Sequence, residues 1–245
     1  MGLSKNHSKL ITSLSHKKYR QRHKMFVVEG VKAVREFLNS SFELHQLFGV
    51  DSEFNVKQKF IQISDTELKK VSHLVNPNKV LGIFKIPEPP QLKSSGLTLA
   101  LDSMNDPGNL GTIIRLCDWF GIDQIVCSTD TVDCYNSKVV QASMGSLTRV
   151  HVVYTDLTSF LVDAKLPIFI ADMDGDLVYQ TKLPQEAILV MGNEANGISP
   201  AVGALTSNRL CIPRFGKVQQ AESLNVASAT AILLSEFSRS ISTDV

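Results

Sequence analysis

Three segments of the chain combine amide, hydroxyl, carboxylate, guanidinium and glycine residues directly after apolar runs. They are residues 101–121 (LDSMNDPGNLGTIIRLCDWFG), residues 188–200 (ILVMGNEANGISP) and residues 211–237. The side chains that could do chemistry are, in chain order, Asn105, Arg115, Glu194, Ser223 and Asn225. Ligands of sheet proteins bind where parallel strands end, so this pattern predicts a ligand site formed by the three segments.

Each segment also has a purely structural interpretation. The first is compatible with an ordinary turn before a helix that Asn109 caps, with Arg115 on the surface. The second could be a turn built by its Asn and Gly residues. In the third, Ser223 could serve only as the cap of the last helix, although Asn225 in an otherwise small and apolar stretch needs more explanation.

Several chemistries are disfavoured by the same segments. Neither G-x-G-x-x-G nor G-x-x-x-x-G-K-[ST] occurs, so a dinucleotide site or a P-loop is not indicated. No histidine lies in the three segments, and Ser223 lacks a G-x-S-x-G context, which argues against a hydrolase triad. The four cysteines show neither a C-x-x-C pair nor a histidine spacing suited to zinc, so we expect reduced thiols and no metal.

The elements that must position these residues follow from the alternation of apolar runs and helical patterns. In the second part of the chain, strands are expected at 97–101, 124–127, 167–170, 187–191 and 209–212, and helices at 109–120 and from about 223 to 239. Strands that alternate with helices imply crossover connections and a parallel sheet with helices on both faces.

The first part of the chain is interpreted as a separate small α/β domain. Strands are expected at 26–30, 44–50, 59–63 and 80–86, with a helix after the first strand. The segment 87–96 is rich in Pro and Ser, which is typical of a linker. We therefore predict two domains, residues 1–90 and residues 97–245.

The charge of the chain also divides at this linker. Residues 1–96 hold 16 Lys and Arg and 8 Asp and Glu, whereas residues 97–245 hold 9 and 16. A basic first domain favours a polyanion as its partner. The first 24 residues contain seven Lys and Arg and no acid. This indicates contact with nucleic acid, and a solvated basic tail without function is the alternative.

In order and spacing, the three segments resemble the SpoU/TrmH branch of the SPOUT RNA methyltransferases. The resemblance covers residues 97–245 and extends more weakly to KKYR at 17–20 and FVVEG at 26–30. It implies transfer of a methyl group from S-adenosylmethionine to a ribose 2′-hydroxyl of ribosomal or transfer RNA. For the fold it implies a small N-terminal α/β RNA-binding domain and a C-terminal parallel-sheet SPOUT domain with a C-terminal trefoil knot.

The site residues follow from the same resemblance. Catalytic side chains are implied at Asn105, Arg115, Glu194, Ser223 and Asn225. Backbone contacts to S-adenosylmethionine are implied at Met191, Gly192, Ile212 and Leu224. We expect Arg115 to bind the adjacent phosphate and to stabilise charge on the 2′-oxygen, because a guanidinium stays protonated in proteins. A homodimer with the active site at the subunit interface is implied as well.

Two other functions remain as alternatives. One is an RNA-binding module of the same fold that does not catalyse; the presence of Arg115, Glu194 and Asn225 together argues against it. The other is a small-molecule α/β enzyme with an incidental basic N-terminus, and the lack of a nucleotide fingerprint argues against it. No apolar run reaches the roughly 18 residues of a membrane span and no secretory leader is evident, so we expect a cytoplasmic protein that does not insert in a membrane.

Overall fold

The computed structural model describes residues 2–51, 54, 59–216, 218 and 223–239. The helices are α1 Lys5–Ser13, α2 Lys17–His23, α3 Val31–Leu38, α4 Asp65–Val71, α5 Pro107–Trp119, α6 Ser137–Ser143, α7 Leu157–Val162, α8 Pro200–Gly203 and α9 Val226–Arg239. The strands are β1 Met25–Glu29, β2 Leu44–Gly49, β3 Phe60–Gln62, β4 Val80–Lys85, β5 Leu97–Leu101, β6 Gln124–Ser128, β7 His151–Thr155, β8 Ile168–Leu177, β9 Ala187–Met191 and β10 Arg209–Cys211.

Contacts within the chain divide it into two units. The first unit contains the residues up to Glu88 together with Asp133–Thr148, and the second contains Pro89–Val132 and the residues from Arg149 onward. Among the described residues, no helix is long and apolar enough to cross a bilayer.

The first unit is built on a four-stranded sheet with the order β1-β4-β2-β3. Strand β4 is antiparallel to both of its neighbours, and β2 and β3 are parallel. The apolar face of α1 is buried against this sheet, because Ile11 and Leu14 join a core cluster with Val27 and Phe48. The unit is therefore a mixed α/β sheet domain, as predicted from the alternating apolar runs.

The segment Asp133–Thr148 differs from the sequence-based prediction, which placed it in a continuous second domain. The ring of Tyr135 lies 4.6 Å from that of Phe26 on β1. Arg20 is only 2% exposed, and its guanidinium forms an ion pair of 2.7 Å with Asp133. These aromatic and ionic partners are distant in sequence, so local periodicity could not reveal that this segment packs with the first unit.

The second unit contains a six-stranded sheet in the order β10-β8-β9-β5-β6-β7. All neighbouring strands in it are parallel, which confirms the predicted sheet class. Strands β5 and β9 are adjacent in the middle of the sheet and are almost completely buried. Their last residues, Leu101 and Met191, are paired, so the polar loops that follow them begin side by side.

Candidate functional site

The loop after β9 is closed on itself and tied to the loop after β5 by one buried amide. The backbone N–H of Asn193 donates to the carbonyl of Gly197 at 2.8 Å, and the reverse bond is 2.9 Å long. The Asn193 side-chain oxygen accepts from the N–H groups of Ala195 and Asn196, and its Nδ2 donates to the Ser103 carbonyl at 2.6 Å. Asn193 was not among the predicted site residues, yet it sets the shape of the loop that carries Glu194.

Gly192 is required by the tightness of this loop. A Cβ at this position would lie 2.4 Å from the Gly197 carbonyl carbon and 2.6 Å from the Ile198 nitrogen. Both are backbone atoms, which cannot move away as the end of a side chain can. Glycine at this position therefore permits the close approach, and Gly192 itself is partly exposed and lines the pocket next to it.

The loop after β5 is held in an unusual conformation at Ser103, whose φ is +58°. Its N–H donates to Ser128 Oγ at 2.8 Å, and its hydroxyl donates to Asp130 Oδ2 at 2.7 Å. Hydrogen bonds from the Ser103 and Ser128 side chains keep the pKa of Asp130 below its ordinary value. The left-handed conformation of a non-glycine residue is costly, and these bonds offset that cost.

Helix α5 starts two residues earlier than the sequence suggested. It begins at Pro107, and the carboxylate of Asp106 caps it by accepting from the Asn109 N–H at 2.7 Å. The prediction that Asn109 is the N-cap was therefore wrong. Its side chain is left available because Asp106 satisfies the helix end.

Asn109 joins the second and third predicted segments through its side chain. Its Nδ2 donates to Glu194 Oε1 at 2.9 Å, and its Oδ1 accepts from Asn225 Nδ2 at 2.9 Å. The Asn225 oxygen in turn accepts from the N–H groups of Ala227 and Ser228 at the start of α9. A continuous chain of hydrogen bonds therefore runs from the N-terminus of α9 to the Glu194 carboxylate.

This arrangement also corrects the predicted start of the last helix. The sequence suggested that the helix begins at about Ser223, with Ser223 as a possible cap, but α9 begins at Val226 and Asn225 caps it. Ser223 and Asn105 are both exposed. The structure records no hydrogen bond of either side chain to the described residues, so the amide placed beside Glu194 is that of Asn109 and not that of Asn105.

Arg115 is exposed on α5, six residues and about 9 Å along the axis beyond Asn109. The described residues provide no hydrogen bond or ion pair to its guanidinium. The two acids that could have neutralised it are engaged elsewhere. Asp118 accepts from Arg149 at 2.8 Å, and Glu194 accepts from Asn109. The side chain is thus presented to solvent as a donor fork, and the structure does not bring it into contact with Glu194 or Asn225.

A pocket of about 1510 Å³ lies beside the Glu194 loop. Its lining includes Met191, Gly192, Ile212 and Leu224, together with Glu194 and Ser223. Small-molecule pockets usually have volumes of roughly 300–1000 Å³ and are lined by apolar groups with a few polar ones. The pocket exceeds this range, so it has room for S-adenosylmethionine, which is an adenosine joined through a sulfonium to a zwitterionic methionine, and its lining offers both apolar side chains and polar groups. The assignment of these four residues to the cofactor stays a prediction.

The lining of this pocket also contains an ion pair between Arg209 and Asp172. Burial raises the pKa of Asp172, but hydrogen bonds from the Asp174 N–H and from Arg209 outweigh it, so its pKa lies below the ordinary value. The exposed apolar side chains of Met173 and Phe215 line the same pocket. No group of three or more His, Cys, Asp or Glu suited to a metal ion occurs among the described residues.

Similarity to known proteins agrees with this geometry. Residues 96–235 match the SpoU rRNA Methylase family, and residues 5–82 match the MRM3-like substrate binding domain. The chain is 31% identical over 231 residues to the 23S rRNA (guanosine(2553)-2′-O)-methyltransferase RlmP of Bacillus subtilis, covering 90% of this chain and 91% of that protein.

Solved structures are similar over nearly the whole chain. A putative RNA methyltransferase of the TrmH family from Porphyromonas gingivalis superposes with a TM-score of 0.89 at 38% identity, covering 98% of this chain and 99% of that one. The AdoMet-bound rRNA methyltransferase from Sinorhizobium meliloti gives 0.86 at 27% identity, covering 98% and 96%. The resemblance predicted from the three segments is thereby confirmed, and the chain belongs to the SpoU rRNA methylase family.

Proposed function

We propose that this protein transfers a methyl group from S-adenosylmethionine to a ribose 2′-hydroxyl in ribosomal or transfer RNA. The observation that carries the proposal is the hydrogen-bonded chain of Asn225, Asn109 and Glu194 at the edge of a large pocket. Names of relatives support it: RlmP of Bacillus subtilis and RlmB of Neisseria meningitidis are 23S rRNA guanosine 2′-O-methyltransferases, and the Sinorhizobium meliloti structure is described as AdoMet-bound.

The pocket is the proposed cofactor site. S-adenosylmethionine supplies a methyl group on a positively charged sulfur, which an oxygen nucleophile can displace. Met191, Gly192, Ile212 and Leu224 would hold the donor, chiefly through backbone groups at the ends of β9 and β10 and before α9. Holding the methyl donor and the ribose hydroxyl in line is the main contribution of such a site, since effective molarity lowers the activation barrier by several kcal/mol.

The side chains around the pocket have distinct proposed roles. Arg115 remains protonated, binds a phosphate of the RNA next to the target ribose, and stabilises negative charge that develops on the 2′-oxygen. Glu194, Asn109 and Asn225 form a rigid polar edge that orients the ribose and the loop. Asn105 and Ser223, both exposed, would contact the RNA when it binds.

Three finer features belong to the same proposal. The C-terminal segment would form a trefoil knot, as the resemblance to the SPOUT methyltransferases implies. Two chains would form a homodimer with the active site at the interface. This would account for the exposure of Arg115 in a single chain, because the second chain would complete the site around it. The protein would act in the cytoplasm, where its four cysteines stay thiols.

Calorimetry with S-adenosylmethionine, followed by transfer of a labelled methyl group to total RNA, tests the proposal. We expect binding without added metal, label that remains in RNA as 2′-O-methylribose, and a dimer by sedimentation equilibrium. Donor binding without transfer to any RNA would favour the RNA-binding module of the same fold. Absence of donor binding would refute the proposed function.

A further inference from the structure

A second concave surface lies on the first unit, between α1 and α2. This groove has a volume of about 1040 Å³. Residues of both helices line it, together with Leu3 and with Glu67 and Lys70 of α4. We call it the α1–α2 groove; it belongs entirely to the first unit and is separate from the pocket beside Glu194.

Cations dominate the lining of the α1–α2 groove. They are Lys5, Lys9, Arg22 and Lys70, and all four are exposed. The described part of the chain offers none of them an ion pair. Among the described lining residues Glu67 is the only acid, and its carboxylate already accepts from the N–H groups of Ser64 and Leu3. The lining therefore has four cations to one carboxylate, and this excess of positive charge attracts a polyanion.

Not every cation of α2 is available to a ligand in the groove, because Arg20 has a structural role. Arg20 is buried, donates to the carbonyls of Leu14 and Ser15, and pairs with Asp133. It cannot contact a ligand without giving up these bonds. Of the cations in α2, it is Arg22 that faces the groove, and its neighbours on the same face are aromatic.

Three ring side chains form a ladder along this face of α2. The rings of Tyr19 and His23 are stacked, with centroids 6.5 Å apart and an angle of 22° between their planes. His16 meets Tyr19 edge-on at 6.3 Å. All three line the groove and are exposed. Exposed ring faces next to cations are what a nucleic-acid strand with unstacked bases requires.

We propose that the α1–α2 groove binds a single-stranded segment of the substrate RNA, with a base stacked on Tyr19 and phosphates held by Lys5, Lys9, Arg22 and Lys70. The proposal rests on the proposed function, since it assigns a place to the same RNA. A duplex fits the groove less well, because its bases are stacked on one another and cannot reach Tyr19. An acidic polypeptide would match the charge but would not stack on the exposed rings of His16, Tyr19 and His23.

Binding of a fluorescein-labelled oligouridylate of about 12 nucleotides to the full-length protein tests the proposal. Tyr19→Leu removes the ring and should weaken binding at least about 5-fold, whereas Tyr19→Phe retains the ring and should bind as the wild type does. A 12-base-pair RNA duplex should bind more weakly and be insensitive to Tyr19→Leu.

Charge is tested with a matched pair of double variants. Lys9→Gln with Arg22→Gln should reduce the slope of log K against log salt by about 1.4, since each phosphate contact to a single strand contributes about 0.7. Lys32→Gln with Lys69→Gln removes the same charge from exposed positions of this unit outside the groove and should leave the slope nearly unchanged. Equal effects of the two pairs would overturn the proposal.

Methyl-transfer kinetics separate this proposal from the one it rests on. In Tyr19→Leu we expect KM for RNA to rise while kcat and donor affinity stay as in the wild type. If the wild type transfers no methyl group, the proposed function fails, but oligouridylate binding still decides on the groove. If Tyr19→Leu binds oligouridylate as tightly as the wild type, or if polyglutamate of equal charge competes as well as RNA, the groove assignment is wrong.

Discussion

Asn109 is the residue at which the three polar segments meet. It belongs to the first, donates to Glu194 in the second and accepts from Asn225 in the third. A single amide can do this because it carries both a donor and an acceptor, and because Asp106 caps the helix in its place. Glu194 and Asn225 are thus linked to each other through the Asn109 amide.

Asn109→Ala should therefore reduce both stability and activity. Two hydrogen bonds are lost at a half-buried position, so we expect the free energy of unfolding to fall by about 1–2 kcal/mol, measured by urea denaturation. Methyl transfer should fall as well, because the Glu194 loop loses its tie. Asn105→Ala is the control for stability, since an exposed side chain with no hydrogen bond to the described residues should leave the free energy of unfolding unchanged. An Asn109→Ala protein with wild-type stability and rate would show that the hydrogen-bonded chain has no role.

Arg115→Ala, in contrast, should reduce activity without reducing stability. The side chain is exposed and has no hydrogen bond or ion pair with the described residues, so the melting temperature and donor binding should stay near wild type. Loss of a charge-assisted contact made in the transition state should lower the rate about 10²-fold or more. Arg115→Lys should restore little, because a point charge cannot replace the planar fork on a phosphate. Full methylation of RNA by the Ala variant would remove Arg115 from the site.

At the scale of elements, the site depends on how tightly the loop after β9 turns. Gly192→Ala would drive a Cβ into backbone atoms of Gly197 and Ile198, at 2.4–2.6 Å. We expect the free energy of unfolding to drop by at least about 2 kcal/mol and calorimetry to show weaker donor binding.

Gly203→Ala is the matched control, because its Cβ would meet nothing closer than a flexible Arg209 atom at 3.5 Å. Alanine in helix α8 should leave stability unchanged or slightly higher. Equal destabilisation by both variants would mean that the close approach at Gly192 is not the cause.

The segment Asp133–Thr148 is held in the first unit by a nearly buried ion pair. Asp133→Ala would leave the Arg20 guanidinium buried without its anion, which should cost about 3 kcal/mol of stability. Asp51→Ala breaks an exposed pair with Lys79 in the same unit and should cost between about 0 and 1 kcal/mol. Thermal melting of both variants checks the difference, and similar melting temperatures would contradict the structural role of Arg20.

At the scale of the whole molecule, the uneven charge distribution suggests that the basic first unit binds RNA and the second unit binds the methyl donor. If the basic first unit neutralises about 5 phosphates, log K for RNA should fall with log salt at a slope of roughly −3.5 to −4.5. Donor affinity should change little over the same range, because its pocket lies in the second unit. An RNA affinity independent of salt would refute this division. Removing residues 1–96 is a poor test, since the deletion also strips the partners of Tyr135 and Asp133.

Sequence periodicity was sufficient for the parallel sheet, whereas the location of the site at the ends of its strands stays a prediction. Apolar runs alternate with helical patterns over short stretches of the chain, and such local periodicity can be detected in a single sequence. The family could be identified for a related reason, since the three polar segments are each contiguous.

Tertiary structure alone assigned partners to individual side chains. The bonds of Asn109 span 85 and 116 residues, and that of Arg20 spans 113. From the sequence, Asn109 was therefore interpreted as a helix cap and Ser223 as a possible one, Arg20 was counted among the cations available to RNA, and Asn193 was not among the predicted site residues. The physical reason is that one amide or guanidinium has several possible partners, and only the packed chain determines which of them comes within hydrogen-bonding distance.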